Sequence, residues 1–459
     1  MRTTITKHTL YAVLVIVLFL LSSDLGLFSS YDGLVVAMVL SIFFPQYSIF
    51  LLIAVCVYQD SPGLSSWGWY LAFLFVSIIL IKRNIKGVLK AITGNYLILF
   101  ATVLIAYVIL ISAIYNYTGV FPQSPQRPYL IVGLLIYLMI ISAYAGILEL
   151  NKNAKYYNTL SVITALLLLH AIGVAVGQIF YGPLFLSSAY GSSAILESSQ
   201  LIEASTLGIP RLTGTYNTPN GFAFCGILLS LIYYMSQENR KIGLKDALIY
   251  LTITLFFSVV AQSKALILFS LLSFIAFTFL MIQKQSIRYV LVLLVSIFVL
   301  LLLSVNSDIS KSDFSTILSS FRAENIVDLK SFGYRSLAWS YVLTGLPDFA
   351  WLTGTGLSHW PIFFFEKLPF TLSDPHTFVL SYIGTFGLPG VMFFFYILFR
   401  ILKRYHTASS QRKFLLIALL IILLVKDLVS TPYLLGNTPL TFLIWLLIFY
   451  ALNKRTRDR

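Results

Sequence analysis

Two arginines and one histidine stand out in the polar stretches that interrupt this apolar sequence. Arg211 and Arg335 each lie among Gly, Thr and aromatic residues beside an apolar segment, with no acidic residue within several positions. The planar guanidinium of arginine binds two phosphate oxygens at once. These two positions therefore predict a site for an anionic, phosphate-bearing ligand.

His376 lies directly after one of three helix starts of the same kind. Each start has a capping residue followed by proline, which is typical of a helix N-terminus; the pairs are Thr218-Pro219, Asp374-Pro375 and Thr438-Pro439. A helix N-terminus favours an anion and disfavours an imidazolium, so His376 is expected to be neutral and able to accept a proton. The alternative is a structural histidine bonded to a loop carbonyl.

Four further residues complete the candidate site. Lys264 follows Gln262-Ser263 in a short turn between apolar runs, where it either reaches the membrane interface or joins the anion site. Asn220, Arg322 and Trp339 are the remaining candidate substrate-binding residues. His, Cys, Asp and Glu never occur with metal-ligand spacing, so neither a metal nor a cofactor is expected.

The composition defines the class of protein in which such a site would lie. Of 459 residues, 58% are hydrophobic and 10% charged, and the mean hydropathy is +0.89. These values indicate a polytopic membrane protein. The net charge of +14 is interpreted as a bias toward the cytoplasmic loops rather than as a nucleic-acid surface. Cys56 and Cys225 lie inside apolar runs and predict neither a disulfide nor a metal site.

Apolar segments recur from end to end and predict an all-α protein of about 12–14 transmembrane helices. The segments are residues 9–22, 31–44, 46–59, 64–81, 95–115, 128–148, 157–180, 219–235, 246–262, 264–282, 288–305, 376–399, 413–431 and 438–452. The second and third meet at Pro45 and could form one bent span or two half-length spans.

Basic residues predict the orientation of the chain in the membrane. The cluster Lys82, Arg83, Lys86 and Lys90 belongs on the cytoplasmic side. If the N-terminus is also cytoplasmic, an even number of crossings precedes Lys82, which favours two short spans around Pro45. Both termini are then cytoplasmic and the polar loops are extracytoplasmic. The expected division is 1–180 (N-terminal helices), 181–218 (loop), 219–305 (central helices), 306–375 (large loop) and 376–459 (C-terminal helices).

The polar segments resemble those of the bacterial O-antigen ligase and polymerase superfamily. The segments that carry the resemblance are Arg211-Leu-Thr-Gly-Thr-Tyr-Asn-Thr-Pro-Asn220, Gln-Ser-Lys264, Tyr-Arg335-Ser-Leu-Ala-Trp339, Gly354-Thr-Gly356, Asp-Pro-His376-Thr-Phe and Gly387-Leu-Pro-Gly390. The chain departs from the family pattern in having Lys264 where the family often has Arg, and Thr385 where it often has Glu. The resemblance covers roughly residues 205–400.

The resemblance implies a glycosyltransferase of the all-helical type C fold. Its donor would be a glycan on undecaprenyl pyrophosphate, and its metal-independent chemistry would take place at the periplasmic face of the bacterial inner membrane. Arg211 and Arg335 would hold the pyrophosphate, and His376 would help to activate the acceptor hydroxyl.

Three activities stay open at the level of sequence. A polymerase would join two lipid-linked glycans, and the many Tyr and Phe residues favour this activity slightly. A ligase would transfer the glycan to a lipid A-core or another acceptor. A lipid-glycan flippase is the third alternative, although most charges lie at the ends of spans. Expected partners are the donor, the acceptor, membrane lipids and a chain-length regulator, with no nucleic acid.

Overall fold

The protein is described by a computed structural model over most of its hydrophobic segments. The described residues are 6–26, 29–58, 64, 66–121, 128–181, 212, 214, 216, 219–237, 244–261, 263–281, 343, 345–357, 378–426, 434–436 and 438–453. These residues are 87% helical and contain no strand. The predicted all-α class is therefore confirmed.

Fifteen α-helices occur in the described part of the chain. In order they are α1 Lys7–Leu25, α2 Asp32–Phe43, α3 Ser48–Val57, α4 Ser66–Arg83, α5 Ile85–Gly94, α6 Tyr96–Thr118, α7 Tyr129–Asn151, α8 Ala154–Tyr181, α9 Pro219–Ser236, α10 Leu244–Val260, α11 Lys264–Met281, α12 Asp348–Thr353, α13 Phe378–Tyr405, α14 Ser410–Ile421 and α15 Pro439–Leu452. Every predicted apolar segment coincides with a helix, apart from 288–305, which lies outside the described residues. The sequence did not predict α5 and α12.

Several of these helices are suited to a membrane. In the described residues five helices are long and apolar enough to cross one, namely α1, α6, α7, α8 and residues Leu380–Tyr405 of α13. The pair formed by α2 and the segment Pro45–Val57 passes the same test jointly, with a bend of 112°. The protein is therefore a polytopic membrane protein, and the larger number of 12–14 spans stays a prediction.

The bend at Pro45 lies at the end of the bundle where α1 begins. Proline has no N–H with which to continue α2, and a short 3₁₀ turn, Pro45–Tyr47, leads into α3. The His8 ring near the start of α1 lies 4.9 Å from the rings of both Tyr47 and Tyr156. The other end of α3, at Tyr58, reaches the far half of α8. The two helices thus turn back at this end, as either a broken span or a re-entrant loop does, and the number of crossings around Pro45 stays a prediction.

We call the end of the bundle where α1 begins the proximal face and the opposite end the distal face. At the proximal face, Thr9 Oγ1 at the start of α1 lies 3.1 Å from Thr159 Oγ1 at the start of α8. The C-terminal ends of α9 and α15 also meet there, because the Tyr450 hydroxyl donates to the Met235 carbonyl over 3.1 Å, and Tyr450 packs against Tyr157 of α8.

The centre of the bundle is α15. Every residue from Pro439 to Ala451 is buried, and the helix contacts α3, α7, α9 and α14. A helix that is apolar on all sides is expected in such a central position. Its Trp445 indole N–H is satisfied by the Leu434 carbonyl at 2.8 Å.

Hydroxyl groups connect α10 to α11. The Ser258 and Ser270 oxygens are 3.0 Å apart, and the Tyr250 hydroxyl donates to Ser273 over 3.1 Å. All four side chains are buried. Hydrogen bonds of this kind associate helices where apolar packing alone gives little preference over lipid.

Candidate functional site

Most of the candidate residues lie outside the described part of the chain. These are Arg211, Arg322, Arg335, Trp339 and His376. Asn220 is exposed in the first turn of α9, and Lys264 begins α11, although its side chain is not among those described. The structure therefore defines the frame that adjoins the candidate residues.

The residue after Arg211 is bound to the turn that leads into Lys264. The Leu212 N–H donates to the Val260 carbonyl over 3.3 Å, and Leu212 is buried. Val260 ends α10, and α11 begins four residues later at Lys264. The fold therefore places the main chain beside Arg211 next to the turn that precedes Lys264.

A buried glutamine fixes the same segment to α8. The Gln178 amide accepts from the Gly214 N–H and donates to the Gly214 carbonyl, both over 3.0 Å. Gly214 has φ +57°, and a Cβ there would lie 2.2 Å from the Phe222 ring. Glycine is required both for the left-handed backbone and for the close approach of α9. Gln178 was not predicted from the sequence, where its signal is an amide near the end of a long apolar helix.

Tyr216 fixes the segment from a third direction. Its hydroxyl donates to the Cys56 carbonyl in the last turn of α3, and the tyrosine is buried. Cys56 and Cys225 are themselves buried and unpaired thiols. The polypeptide from Leu212 to Tyr216 is thus held by α3, α8 and α10, and each of these contacts uses a neutral donor and acceptor.

An ionisable cluster lies between the helices below this segment. His170 Nε2 is 2.7 Å from Asp24 Oδ2, and the Tyr58 hydroxyl is 2.7 Å from both ring nitrogens of His170. His170 precedes Gln178 by eight residues of α8, which is about 12 Å along the helix. The second carboxylate oxygen, Asp24 Oδ1, is buried and has no hydrogen-bond partner among the described residues.

The sequence analysis did not anticipate the Asp24–His170–Tyr58 cluster. Each residue occurs singly in its own apolar segment, so no motif marks it. Ionisable groups between membrane helices are rare and usually functional. The cluster is therefore a second candidate functional site, at the distal end of the bundle.

Just before α13 bends at Gly387, its main chain crosses the main chain of residues 354–356. The Thr355 N–H donates to the Gly384 carbonyl over 2.7 Å, and the Gly356 N–H donates to the Thr385 carbonyl over 3.1 Å. A Cβ at Gly354 would lie 2.3 Å from the Thr385 carbonyl oxygen. Gly354, Gly356 and Gly387 all have positive φ. Only glycine allows main chains to approach so closely at these angles.

This glycine crossing also binds the long polar loop to α6. The Ser112 hydroxyl accepts from the Leu357 N–H over 2.8 Å, and Tyr115 bonds the Thr353 hydroxyl over 2.6 Å. Thr355 is fully buried. The part of the 306–375 segment around α12 therefore packs against α6 in the bundle.

The glycine crossing and the Leu212–Tyr216 segment lie at the same face. Tyr115 is near the end of α6, whose start is at the proximal face, and Gln178 is near the end of α8, whose start is also there. The first residues of α13 follow His376 and lead into the glycine crossing. The chain segments next to Arg211, Lys264 and His376 are thus collected at the distal face.

The contacts described above fix the loops next to positively charged residues without using a negatively charged group. Among the described residues that hold these segments, no carboxylate takes part in the contacts above. Within the same part of the chain, no group of three His, Cys, Asp or Glu side chains is placed to hold a metal ion. Leu212, Gly214 and Tyr216, which follow Arg211 in the sequence, are therefore fixed by neutral hydrogen-bonding groups.

Comparison with known proteins adds no assignment. No protein-family model matches the chain, and no curated protein is a significant match to it. The case for a function accordingly rests on the residues and on their positions in the fold.

Proposed function

We propose that the protein is a metal-independent glycosyltransferase of the O-antigen polymerase type. It joins glycan units carried on undecaprenyl pyrophosphate at the periplasmic face of the bacterial inner membrane. The observation that supports this most directly is the collection of the segments next to Arg211, Lys264 and His376 at the distal face.

The proposed chemistry is a displacement at the anomeric carbon of the donor glycan. The acceptor hydroxyl forms the new glycosidic bond while the bond to the pyrophosphate oxygen breaks. Arg211 and Arg335 stabilise the charge on the departing oxygens, and Lys264 contributes a third positive charge. His376 takes the proton from the acceptor hydroxyl. Undecaprenyl pyrophosphate leaves with its tail in the bilayer.

Asn220, Arg322 and Trp339 are proposed to contact the donor around this centre. Asn220 is exposed at the start of α9, where the positive end of the helix dipole also favours an anion. The buried contacts of Gly214 and Tyr216 keep the Arg211 segment in position before substrate arrives, so that little ordering is needed during reaction.

A translocator of lipid-linked glycans is the second candidate. The Asp24–His170–Tyr58 cluster favours it, because ionisable groups between membrane helices often mark transport pathways. Proteoliposomes containing a fluorescent lipid-linked glycan distinguish the two activities. A transferase lengthens the glycan, whereas a translocator moves it between leaflets at unchanged length.

The lipopolysaccharide ladder of a deletion strain tests the polymerase against the ligase, which would use the same residues with a different acceptor. Loss of a polymerase leaves single repeat units on the core. Loss of a ligase leaves long chains on the lipid carrier and none on the core. A normal ladder would contradict both activities.

A further inference from the structure

A cavity of about 460 Å³ opens at the proximal face, away from the candidate site. It lies between α5, the start of α6, the end of α7 and the end of α13. Its lining includes Lys90, Asn95, Tyr96, Tyr144 and Arg400. The volume falls in the range of about 300–1,000 Å³ that is common for small-ligand sites. Nothing in the proposed glycosyl transfer uses these residues.

The polar groups of the cavity are donors without a matching carboxylate. Arg400 is half-buried and lies over the Tyr396 ring, and it donates one N–H to the Tyr396 hydroxyl over 2.7 Å. A guanidinium has five N–H donors, so most of them are available. Within the described residues neither Lys90 nor Arg400 forms an ion pair.

The nearby acid is already occupied. The Glu149 carboxylate is bonded by Arg83 at 2.9 Å, by Lys152 at 2.7 Å and by Asn84 at 2.9 Å. Its charge is therefore matched by residues other than Lys90 and Arg400. Two positive charges at one cavity with no described counter-charge indicate an anionic ligand.

Two neutral donors reinforce this preference. Asn95 accepts from the Leu97 N–H through Oδ1 over 3.0 Å, and its amide nitrogen has no described acceptor. The Tyr144 hydroxyl, also at the cavity, makes no hydrogen bond within the described residues. The cavity thus offers an ammonium, a guanidinium, an amide N–H and a hydroxyl, which is a set suited to phosphate oxygens.

Exposed apolar side chains on the helices that form the cavity suit a ligand with hydrocarbon chains. Tyr96, which lines the cavity, is 74% exposed, and Leu89 and Phe399, next in sequence to lining residues, are 57% and 58% exposed. Helix α5 buries Val88 and Ala91 and exposes Lys86 and Lys90. A short amphipathic helix with exposed lysines is typical of the membrane–water interface.

We propose that this cavity binds the headgroup of an anionic phospholipid. Lys90 and Arg400 hold the phosphate, and Asn95 and Tyr144 bond its remaining oxygens or the glycerol hydroxyls. The acyl chains lie along Tyr96 and Phe399. The bound lipid connects α5, α6 and α7 to the end of α13. Basic pockets between membrane helices are a recognised form of lipid site, and this inference does not rest on the proposed glycosyl transfer.

The test is native mass spectrometry of the full-length protein with defined lipids. Phosphatidylglycerol should remain bound, whereas phosphatidylcholine, which has the phosphate but no net charge, should bind much more weakly. In the variant Lys90→Gln/Arg400→Gln, phosphatidylglycerol affinity should fall on the order of 30-fold, from about 1 kcal/mol for each basic residue. Phosphatidylglycerol should also raise the melting temperature of the wild type and not that of the variant.

Lys86→Gln is the matched control, because Lys86 is on the same helix and outside the cavity lining. It removes the same charge and should leave binding unchanged. Tyr144→Phe removes a single hydroxyl and should weaken binding several-fold in a protein that folds normally. Equal loss in Lys86→Gln and Lys90→Gln would overturn the proposal in favour of general surface charge. Full displacement of the lipid by inorganic phosphate would overturn it in favour of a soluble phosphate ligand.

Discussion

The distal and proximal faces hold the same bundle together with different chemistry. At the distal face, loops are fixed by neutral groups such as the Gln178 amide, the Tyr216 hydroxyl and the Ser112 hydroxyl. At the proximal face, Glu149 of α7 is fully buried, joins α7 to α4 through Arg83, and also pairs with Lys152 directly after α7. A neutral bond satisfies buried polar groups without needing a counter-ion, whereas a buried carboxylate requires cations. The described distal loops are thus held without counter-ions, and the ion pair at that end, Asp24–His170, lies between the helices below them.

Substitution of Arg211, a predicted donor-site residue, and of Arg83 at the proximal face gives the largest expected contrast. Arg211→Ala should nearly abolish glycosyl transfer while the protein still inserts, because the pyrophosphate loses a bidentate partner. Arg211→Lys should restore only part of the activity, since an ammonium is a point charge. Arg83→Ala should instead lower the melting temperature and leave most of the transfer activity. Lengthening of a lipid-linked glycan in detergent measures both.

The opposite result in these two variants would contradict the proposed difference between the two faces. If Arg211→Ala retained full transfer, the distal cations would have no role in donor binding. Arg335→Ala should behave as Arg211→Ala does, and Lys330→Ala, in an acidic part of the same loop, is the control that should stay active.

His376, two residues before α13, tests whether a base acts in the proposed transfer. His376→Ala should reduce the transfer rate by roughly 10²–10⁴, the usual loss for a general base. Donor binding should be largely kept, because the proposed pyrophosphate ligands are other residues. Activity of the wild type should fall on acidification, when the imidazole is protonated. Near-normal activity in His376→Gln, with the same acid limb, would identify a structural histidine.

The glycine crossing tests how much the distal face depends on close backbone contact. Gly387→Ala should destabilise the protein by about 2–5 kcal/mol, because Ala resists positive φ and its Cβ would overlap the neighbouring main chain. That Cβ would lie 2.3 Å from the Leu352 carbonyl oxygen. Gly173→Ala is the control, since a Cβ there meets nothing within 4 Å. Thermal unfolding in detergent should separate the two, and equal melting temperatures would refute the close crossing.

Glu149 tests the dependence of the proximal face on charge. Glu149→Gln keeps the shape of the side chain and removes the charge that Arg83 and Lys152 share. We expect a loss of about 1–3 kcal/mol, below that of a fully buried pair, since Arg83 is 30% and Lys152 is 44% exposed. The melting temperature in detergent measures the loss, and transfer activity should change little. A loss of activity without a loss of stability would connect this face to catalysis.

Gln178→Leu sharpens the distal half of the comparison. It leaves the Gly214 N–H and carbonyl without their amide partner. Each unsatisfied buried group lowers the free energy of unfolding by about 1–3 kcal/mol. The donor KM should rise because the Arg211 segment is less well fixed. Gln237→Leu, whose amide bonds Ser161 at the proximal face, should lower stability alone.

The local features of the fold followed from the sequence. Apolar runs of membrane length predicted nearly every helix, and the starts at Pro219 and Pro439 are found where the Thr-Pro pairs placed them. Such features depend on a few neighbouring residues. The short helix α5 was missed because Lys86 and Lys90 assigned it to a basic loop, and α12 was missed because six residues carry too little periodicity.

Sequence by itself determined the all-α membrane class and the positions of most helices. Tertiary structure decided which residues meet: Gln178 with Gly214, Asp24 with His170 and Tyr58, and Gly354 with Thr385. It also brought Lys90 and Arg400 to one cavity. These contacts join helices far apart in the chain, and they depend on which faces of those helices pack together. An apolar segment does not encode its neighbour, so only the assembled bundle reveals the partner of a single polar residue.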